Sequence, residues 1–273
     1  MRISFILLLS FSSILSYSQS FNEHTIKQDA DYQKLKATIV EQFKNAQPGT
    51  FGSFIKGVDE DVKTNKKIMA LTFDACGGPH GSGYDEELIN FLRQNKIPAT
   101  IFLSGLWIDA HPDIVKQLAA DPLFEIENHG LTHHPCAIDG ESKYGIHGTA
   151  SVGQAVDEIE LNARKIENFT ARKPLYYRSA TATTDEACTE IARQLGETII
   201  SYDLLSGDAV AGTPINVIKD NLVHHAKDGA IVIMHMNHPE WNGYEALKLA
   251  LPEWQQQGFS FVKLELHPLV GRH

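Results

Sequence analysis

The sequence predicts an α/β fold built on a parallel sheet, from three observations. Short apolar runs recur along residues 68–264, and longer amphipathic stretches with recognisable helix ends lie between most of them. Polar residues suited to chemistry gather just past the C-terminal ends of those runs. Strands that alternate with helices pair in parallel, with the helices outside. The arrangement is therefore either a doubly wound open sheet or a closed barrel with fewer than eight strands.

In chain order, residues 1–18 come first. Arg2 precedes the apolar stretch Ile3 to Leu15, and Ser16-Tyr17-Ser18 places small residues at the −3 and −1 positions of a cleavage site. This pattern predicts an export signal, too short to span a bilayer, and hence a periplasmic or secreted protein. Residues 19–64 are polar, with a helical patch from Asp31 to Phe43 and a breaker at Pro48-Gly49, and are expected to form an N-terminal arm. The main domain is expected over residues 65–273.

Its strand candidates are Ile68–Phe73, Ala99–Leu103, Phe124–Glu127, Leu175–Tyr177, Thr198–Tyr202, Ala230–Met234 and Phe259–Leu264. Helices are predicted from Tyr84 to Gln94, from a Ser151 cap to about Asn168, and from Tyr244 to Gln257 before Gly258. Thr213-Pro214 reads as a cap followed by proline at the first helical position, with Gly229 closing that helix. Residues 135–150 form a long glycine-containing loop, a length often tied to function.

With 42% hydrophobic and 21% charged residues, the composition is that of a soluble globular protein. The formal charge of −10 becomes −11 once Arg2 is removed with the signal (23 basic, 34 acidic). An acidic chain without a basic run is a poor match for nucleic acid, and nothing basic and amphipathic suggests a membrane partner. The three cysteines are too sparse for a disulfide scaffold, and the absence of CxxC excludes a zinc finger. No GxSxG elbow, P-loop or dinucleotide fingerprint is present.

Candidate site residues share one end of the predicted sheet. Asp74 ends the run in LTFDACGG, and a carboxylate beside apolar chain is costly unless something pairs with it or uses it. Asn128 and His129 follow the third run, Arg178 the fourth, Asp203 and Asp208 the fifth, and His235 the sixth. In parallel α/β folds that end is where sites are built. His129 and His133, in His129-Gly130-Leu131-Thr132-His133, can converge across a turn, and two neutral imidazoles suit zinc or a similar divalent ion. Arg178 is a permanent cation able to hold Asp74 ionised, and His235 stands where a general acid can face a base. Trp241 fits either a sugar-stacking platform or loop packing.

In this order these residues resemble the NodB-homology polysaccharide deacetylases, carbohydrate esterase family 4, over roughly residues 65–267. Thr72-Phe73-Asp74-Ala75 is similar to TFDD, His129-Gly130-Leu131-Thr132-His133 to H[ST]xxH, and Arg178-Ser179-Ala180-Thr181 to RxPY. Ser206-Gly207-Asp208-Ala209 matches the fourth motif weakly, and Gly229 to His235 the fifth. The resemblance implies a distorted (β/α)7 barrel and metal-assisted deacetylation of an N- or O-acetylated glycan. It makes Asp74 the base, held by Arg178, and His235 the acid, tuned by Asp208. His129 and His133 become metal ligands, with the backbone N–H of Thr181 helping at the oxyanion.

Ala75 stands where the family places a metal-binding Asp, so the third ligand is open: Asp85, His80, a shifted Asp74, or no metal at all. That departure keeps a metal-independent amide or cyclic-imide hydrolase in view, and beside it a decayed glycan-binding protein. Cys76 and Cys136 each follow a motif closely and are expected to pair, leaving Cys188 free.

Overall fold

The computed structural model describes residues 23–271; the expected export signal lies outside the described residues. Among the described residues, nine strands form one parallel sheet: β1 Val58–Asp59, β2 Ile68–Ala75, β3 Ala99–Leu103, β4 Phe124–Asn128, β5 Tyr176–Tyr177, β6 Thr198–Ile200, β7 Leu204–Leu205, β8 Ile231–His235 and β9 Ser260–Val262. Their order is β7-β8-β2-β3-β4-β5-β6-β1, with β9 against the N-terminal half of β2. The end strands β7 and β1 are not bonded to each other, so the sheet curls without closing. The curl is visible in one side chain: Arg178, just past β5, reaches Thr72 and Asp74 on β2, although β3 and β4 lie between them.

Burial on both faces explains why the strands read as continuous apolar runs. Along β2 the inward residues Ile68 and Ala70 join an inner cluster with Phe102, Ile200, Ile231 and Leu264. The alternate residues Met69, Leu71, Phe73 and Ala75 pack outward among helical residues such as Leu88, Trp107, Leu247 and Trp254. Strand alternation therefore directs Thr72 and Asp74 inward and Ala75 outward.

Ser151 caps its helix as predicted, accepting from Gln154 N, and Asp85 caps the helix Glu86–Gln94, accepting from Leu88 N. Such a cap contributes about 1 kcal/mol. Three expectations are corrected. The helix Ile215–His224 starts after Pro214, which is itself the cap, so Thr213 is not. It also ends at His224, with His225 as its cap, rather than at Gly229. Gly229 serves the entry to β8 instead: φ is +87°, and a Cβ there would lie 2.4 Å from the Val62 carbonyl oxygen.

The third correction concerns sulfur. Cys136 pairs with Cys188 at a Cα separation of 6.0 Å, and Cys76 is the buried free thiol. Past the histidine turn the chain runs beside Thr184 and the helix Glu186–Leu195, with the Asp185 N–H donating to the Cys136 carbonyl. That path brings Cys136 to Cys188, while Cys76 faces His129.

Within residues 23–64, part of the segment expected as an arm, short strands pair with strands of the main domain. Val58–Asp59 extends the sheet beside β6, and Phe51–Gly52 pairs antiparallel with Thr184–Asp185. The helix Ala30–Gln42 packs on Val152–Thr170, where Ile39 and Phe43 meet Val156 and Ile159 and the Tyr32 hydroxyl donates to Asp157.

Candidate active site

Asp74 and His235 are register partners on the adjacent strands β2 and β8, whose backbones run about 4.8 Å apart. Alternation turns both side chains inward at the C-terminal mouth. Asp74 is almost fully buried, with Oδ1 accepting from Arg178 Nη1 at 2.8 Å. Arg178 has 0% exposure; it also donates to Thr72 Oγ1 and to the Ser201 carbonyl, both at 2.8 Å, and lies 4.2 Å over the Phe102 ring. Burial alone would push the Asp74 carboxyl up. The Arg178 guanidinium, helped by His129 and His235, outweighs it and holds the group below its ordinary range.

On the other side of Asp74 stands His129, its Nε2 3.8 Å from Asp74 Oδ2. Its Nδ1–H donates to the Arg178 carbonyl at 2.7 Å, which leaves Nε2 as the lone-pair nitrogen. The same Nε2 is 3.8 Å from the Cys76 sulfur. His133 packs edge-on to His129 with ring centres 4.9 Å apart. Burial lowers the basicity of both rings, and the neighbouring imidazoles lower that of His133 further.

The turn between them is set by Gly130 and Glu158. Gly130 has φ +82°, and a Cβ there would lie 2.4 Å from Glu158 Oε1. The buried Glu158 carboxylate accepts from the N–H groups of Thr132 and His134 and from the Thr132 hydroxyl, at 2.7 to 3.1 Å. His133 itself sits at φ +60°, a left-handed conformation that a non-glycine residue holds only under constraint.

These residues fit a divalent ion. Among the described residues, Cys76, His129 and His133 each offer a donor atom, and the three atoms lie within 4.8 Å of one another. His133 Nδ1 is buried with no hydrogen-bond partner, which is costly unless a ligand completes it.

The Asp208 carboxylate holds His235 from two directions, accepting from Nδ1 at 3.0 Å and from the backbone N–H at 2.7 Å. Ser206 in turn donates to Asp208 at 2.7 Å. Burial works against a charged imidazole at His235, but the Asp208 carboxylate prevails and raises its pKa above the ordinary 6.5. Beside it runs a cleft lined by Asp85, Asp208, His235, His238, Trp241 and Tyr244. One face of Trp241 is covered by the His238 ring, stacked at 3.6 Å and 3°. Thr181, three residues past Arg178, holds φ +59° with its hydroxyl oxygen buried and unpartnered.

The structure thus brings Asp74, His129, His133, Arg178, Asp208 and His235 to one end of the sheet. It does not bring Asp203 there: that residue precedes β7, and its carboxylate pairs with Lys227 at 2.8 Å. Asp85 is occupied as a helix cap, and His80 touches His133 through ring contact, with centres 4.8 Å apart. Sequence reading placed Cys76 near the site but paired it with Cys136 instead of setting it beside His129, and it missed the cradle made by Glu158. The signals were a cysteine two residues past Asp74 and a carboxylate on the buried face of Val152–Thr170.

A family model described as polysaccharide deacetylase matches residues 61–200, a span holding Asp74, both ligand-type histidines and Arg178. The peptidoglycan-N-acetylglucosamine deacetylase of Bacillus cereus is 27% identical over 204 residues, covering 74% of this chain and 88% of its own length. Among solved structures, a polysaccharide deacetylase from Bacillus cereus aligns with a TM-score of 0.61 at 24% identity, over 76% of this chain and 97% of that one. A family 4 carbohydrate esterase pseudoenzyme from Bacillus anthracis aligns with a TM-score of 0.64 at 17% identity, over 91% and 95%. These structures share the curled α/β fold. With half the chain under one family model, the protein belongs to the polysaccharide deacetylases, carbohydrate esterase family 4, hydrolases of carbon–nitrogen bonds other than peptide bonds.

Proposed function

We propose that the protein hydrolyses acetyl groups, N-acetyl foremost, from a glycan of the peptidoglycan or chitooligosaccharide type, with a divalent metal, outside the cytoplasm. The observation that carries the reading is the Asp74–His235 register pair, in which each member has its own orienting partner. A carboxylate held ionised and an imidazole held protonated, side by side, make a base and an acid for the two proton transfers of amide hydrolysis.

Asp74, kept ionised by Arg178, takes a proton from the attacking water as the new C–O bond forms. His235, kept protonated by Asp208, gives its proton to the departing amine as the C–N bond breaks, releasing acetate and the free amino sugar. The N–H of Thr181 is assigned to the developing oxyanion. His129 and His133 would hold the ion, zinc on this donor set, and it supplies Lewis acidity toward the acyl carbonyl and a lowered pKa for the water when bound. The export pattern of residues 1–18 and the Cys136–Cys188 disulfide support a periplasmic or secreted location.

Acetate release from chitooligosaccharide and from peptidoglycan tests the reading. Asp74→Asn is expected to lower kcat on the order of 100- to 10,000-fold with the fold intact. Retention of most activity, or no acetate from the unaltered protein, refutes it.

A further inference from the structure

We propose that Cys76 is the third protein ligand of the metal centre, so that a thiolate takes the place of the carboxylate expected at position 75. The inference rests on the metal-assisted reading of this site and specifies its donor set as Cys76, His129 and His133.

Position 75 cannot serve. Ala75 follows the outward parity of Met69, Leu71 and Phe73 and packs fully buried in the outer cluster. The next residue returns to the inner face, and there the chain places sulfur. Cys76 Sγ is 3.8 Å from the lone-pair nitrogen of His129, and all three donor atoms fall within 4.8 Å. Tetrahedral zinc, with Zn–S of ~2.3 Å and Zn–N of ~2.0 Å, needs donors about 3.3–3.6 Å apart. Closing the cluster therefore shortens donor separations by at most about 1.5 Å, shared between two side chains.

Two further observations point to a ligand. His133 Nδ1 is buried and unpartnered. The backbone that presents Cys76 is fixed as well: its carbonyl accepts from Ser104 Oγ, and Gly77 presses so closely on the helix Gly105–Ala110 that a Cβ would lie 2.5 Å from Trp107 N. Asp85 is committed to Leu88 N, and Asp74 is held by Arg178 through Oδ1, with Oδ2 3.8 Å from His129 Nε2 but outside the group of three donors. Because Cys136 and Cys188 are joined, Cys76 remains available as a thiol. As the metal–sulfur bond forms, the thiol proton leaves to solvent. A thiolate among imidazoles selects zinc and other thiophilic ions over magnesium or manganese.

The test uses the purified protein with its disulfide intact, loaded with cobalt(II) and separately with zinc. One cobalt per chain with a near-ultraviolet sulfur-to-cobalt charge-transfer band is expected. Cys76→Asp should keep cobalt and lose the band, and Cys76→Ala should weaken zinc by at least about 100-fold, beyond the 10- to 100-fold typical of an outer-shell partner. Cobalt bound without the band, no cobalt bound, or unchanged zinc affinity in Cys76→Ala overturns the proposal. The wild-type band decides even where a variant misfolds. Acetate release is read separately: a band without acetate refutes the deacetylase reading alone, whereas acetate without a band refutes this inference alone.

Discussion

Replacing Arg178 by methionine isolates the buried pair on which the candidate base depends. Methionine keeps apolar contact with the Phe102 ring but removes the guanidinium and its hydrogen bonds to Thr72, Asp74 and Ser201. The two side chains are 0% and 3% exposed, so solvent does little to screen the loss. Breaking a buried pair from one side costs about 3–5 kcal/mol, a large part of the roughly 5–15 kcal/mol that stabilises a typical protein.

The pH dependence gives the prediction its sign. In the wild type the folded pKa of Asp74 lies below its unfolded value. Its stabilisation is therefore present above the unfolded pKa and is lost as pH falls through the folded one. Without Arg178, burial dominates and the folded pKa rises above the unfolded value, so the folded state is penalised increasingly as pH rises past about 4. Urea unfolding of both proteins between pH 3 and 8 should show a gap that widens with pH, and the double variant Asp74→Leu/Arg178→Met should recover most of the loss. A gap that does not change with pH, or a double variant as unstable as the single one, would refute the reasoning.

Two other substitutions probe separate parts of the molecule. Asp208→Asn removes the carboxylate that raises His235, so the alkaline limb of kcat/KM for acetate release should move from above pH 6.5 to lower pH; an unmoved limb would separate His235 from the acid step. Cys188→Ala opens the cross-link between residues 52 apart, and the chain-entropy model gives a loss of about 4 kcal/mol in urea unfolding. Peptide mapping of unreduced protein should find a Cys136–Cys188 peptide, and a Cys76–Cys136 peptide would contradict the fold.

The legible strands were those buried on both faces. Ala99–Leu103 was read residue for residue, and Ile68–Ala75 missed only its two last residues, because continuous apolar runs of that kind have few alternatives. Val58–Asp59 and Leu204–Leu205 were not legible: two residues carry no period, and only neighbouring strands make them extended. Asp74, His129, Arg178 and His235 were found because each lies at the end of a strand or directly follows one, and His133 by its spacing from His129; parallel strands share a mouth.

The misreadings arose where local pattern gives way to tertiary path. Asp203 follows a predicted strand that in fact stops at Ile200, so it belongs to the next strand's opposite end. The Cys136–Cys188 bond depends on where a long loop passes, which spacing does not encode. Glu158 resembled any helix carboxylate, and only the turn of Gly130 beneath it shows why it is buried.

The place of β8, between β7 and β2, has a consequence for synthesis. Thr72 Oγ1 donates to the Val232 carbonyl across 160 residues of chain, and Asp74 meets His235 on the same pair of strands. Such long-range pairing is slow, because much chain must be ordered before contacts reward it. A polypeptide emerging from the ribosome therefore carries Asp74 without its register partner His235 until β8 has been made. The last strand to enter the middle of the sheet is thus the one that completes the candidate pair.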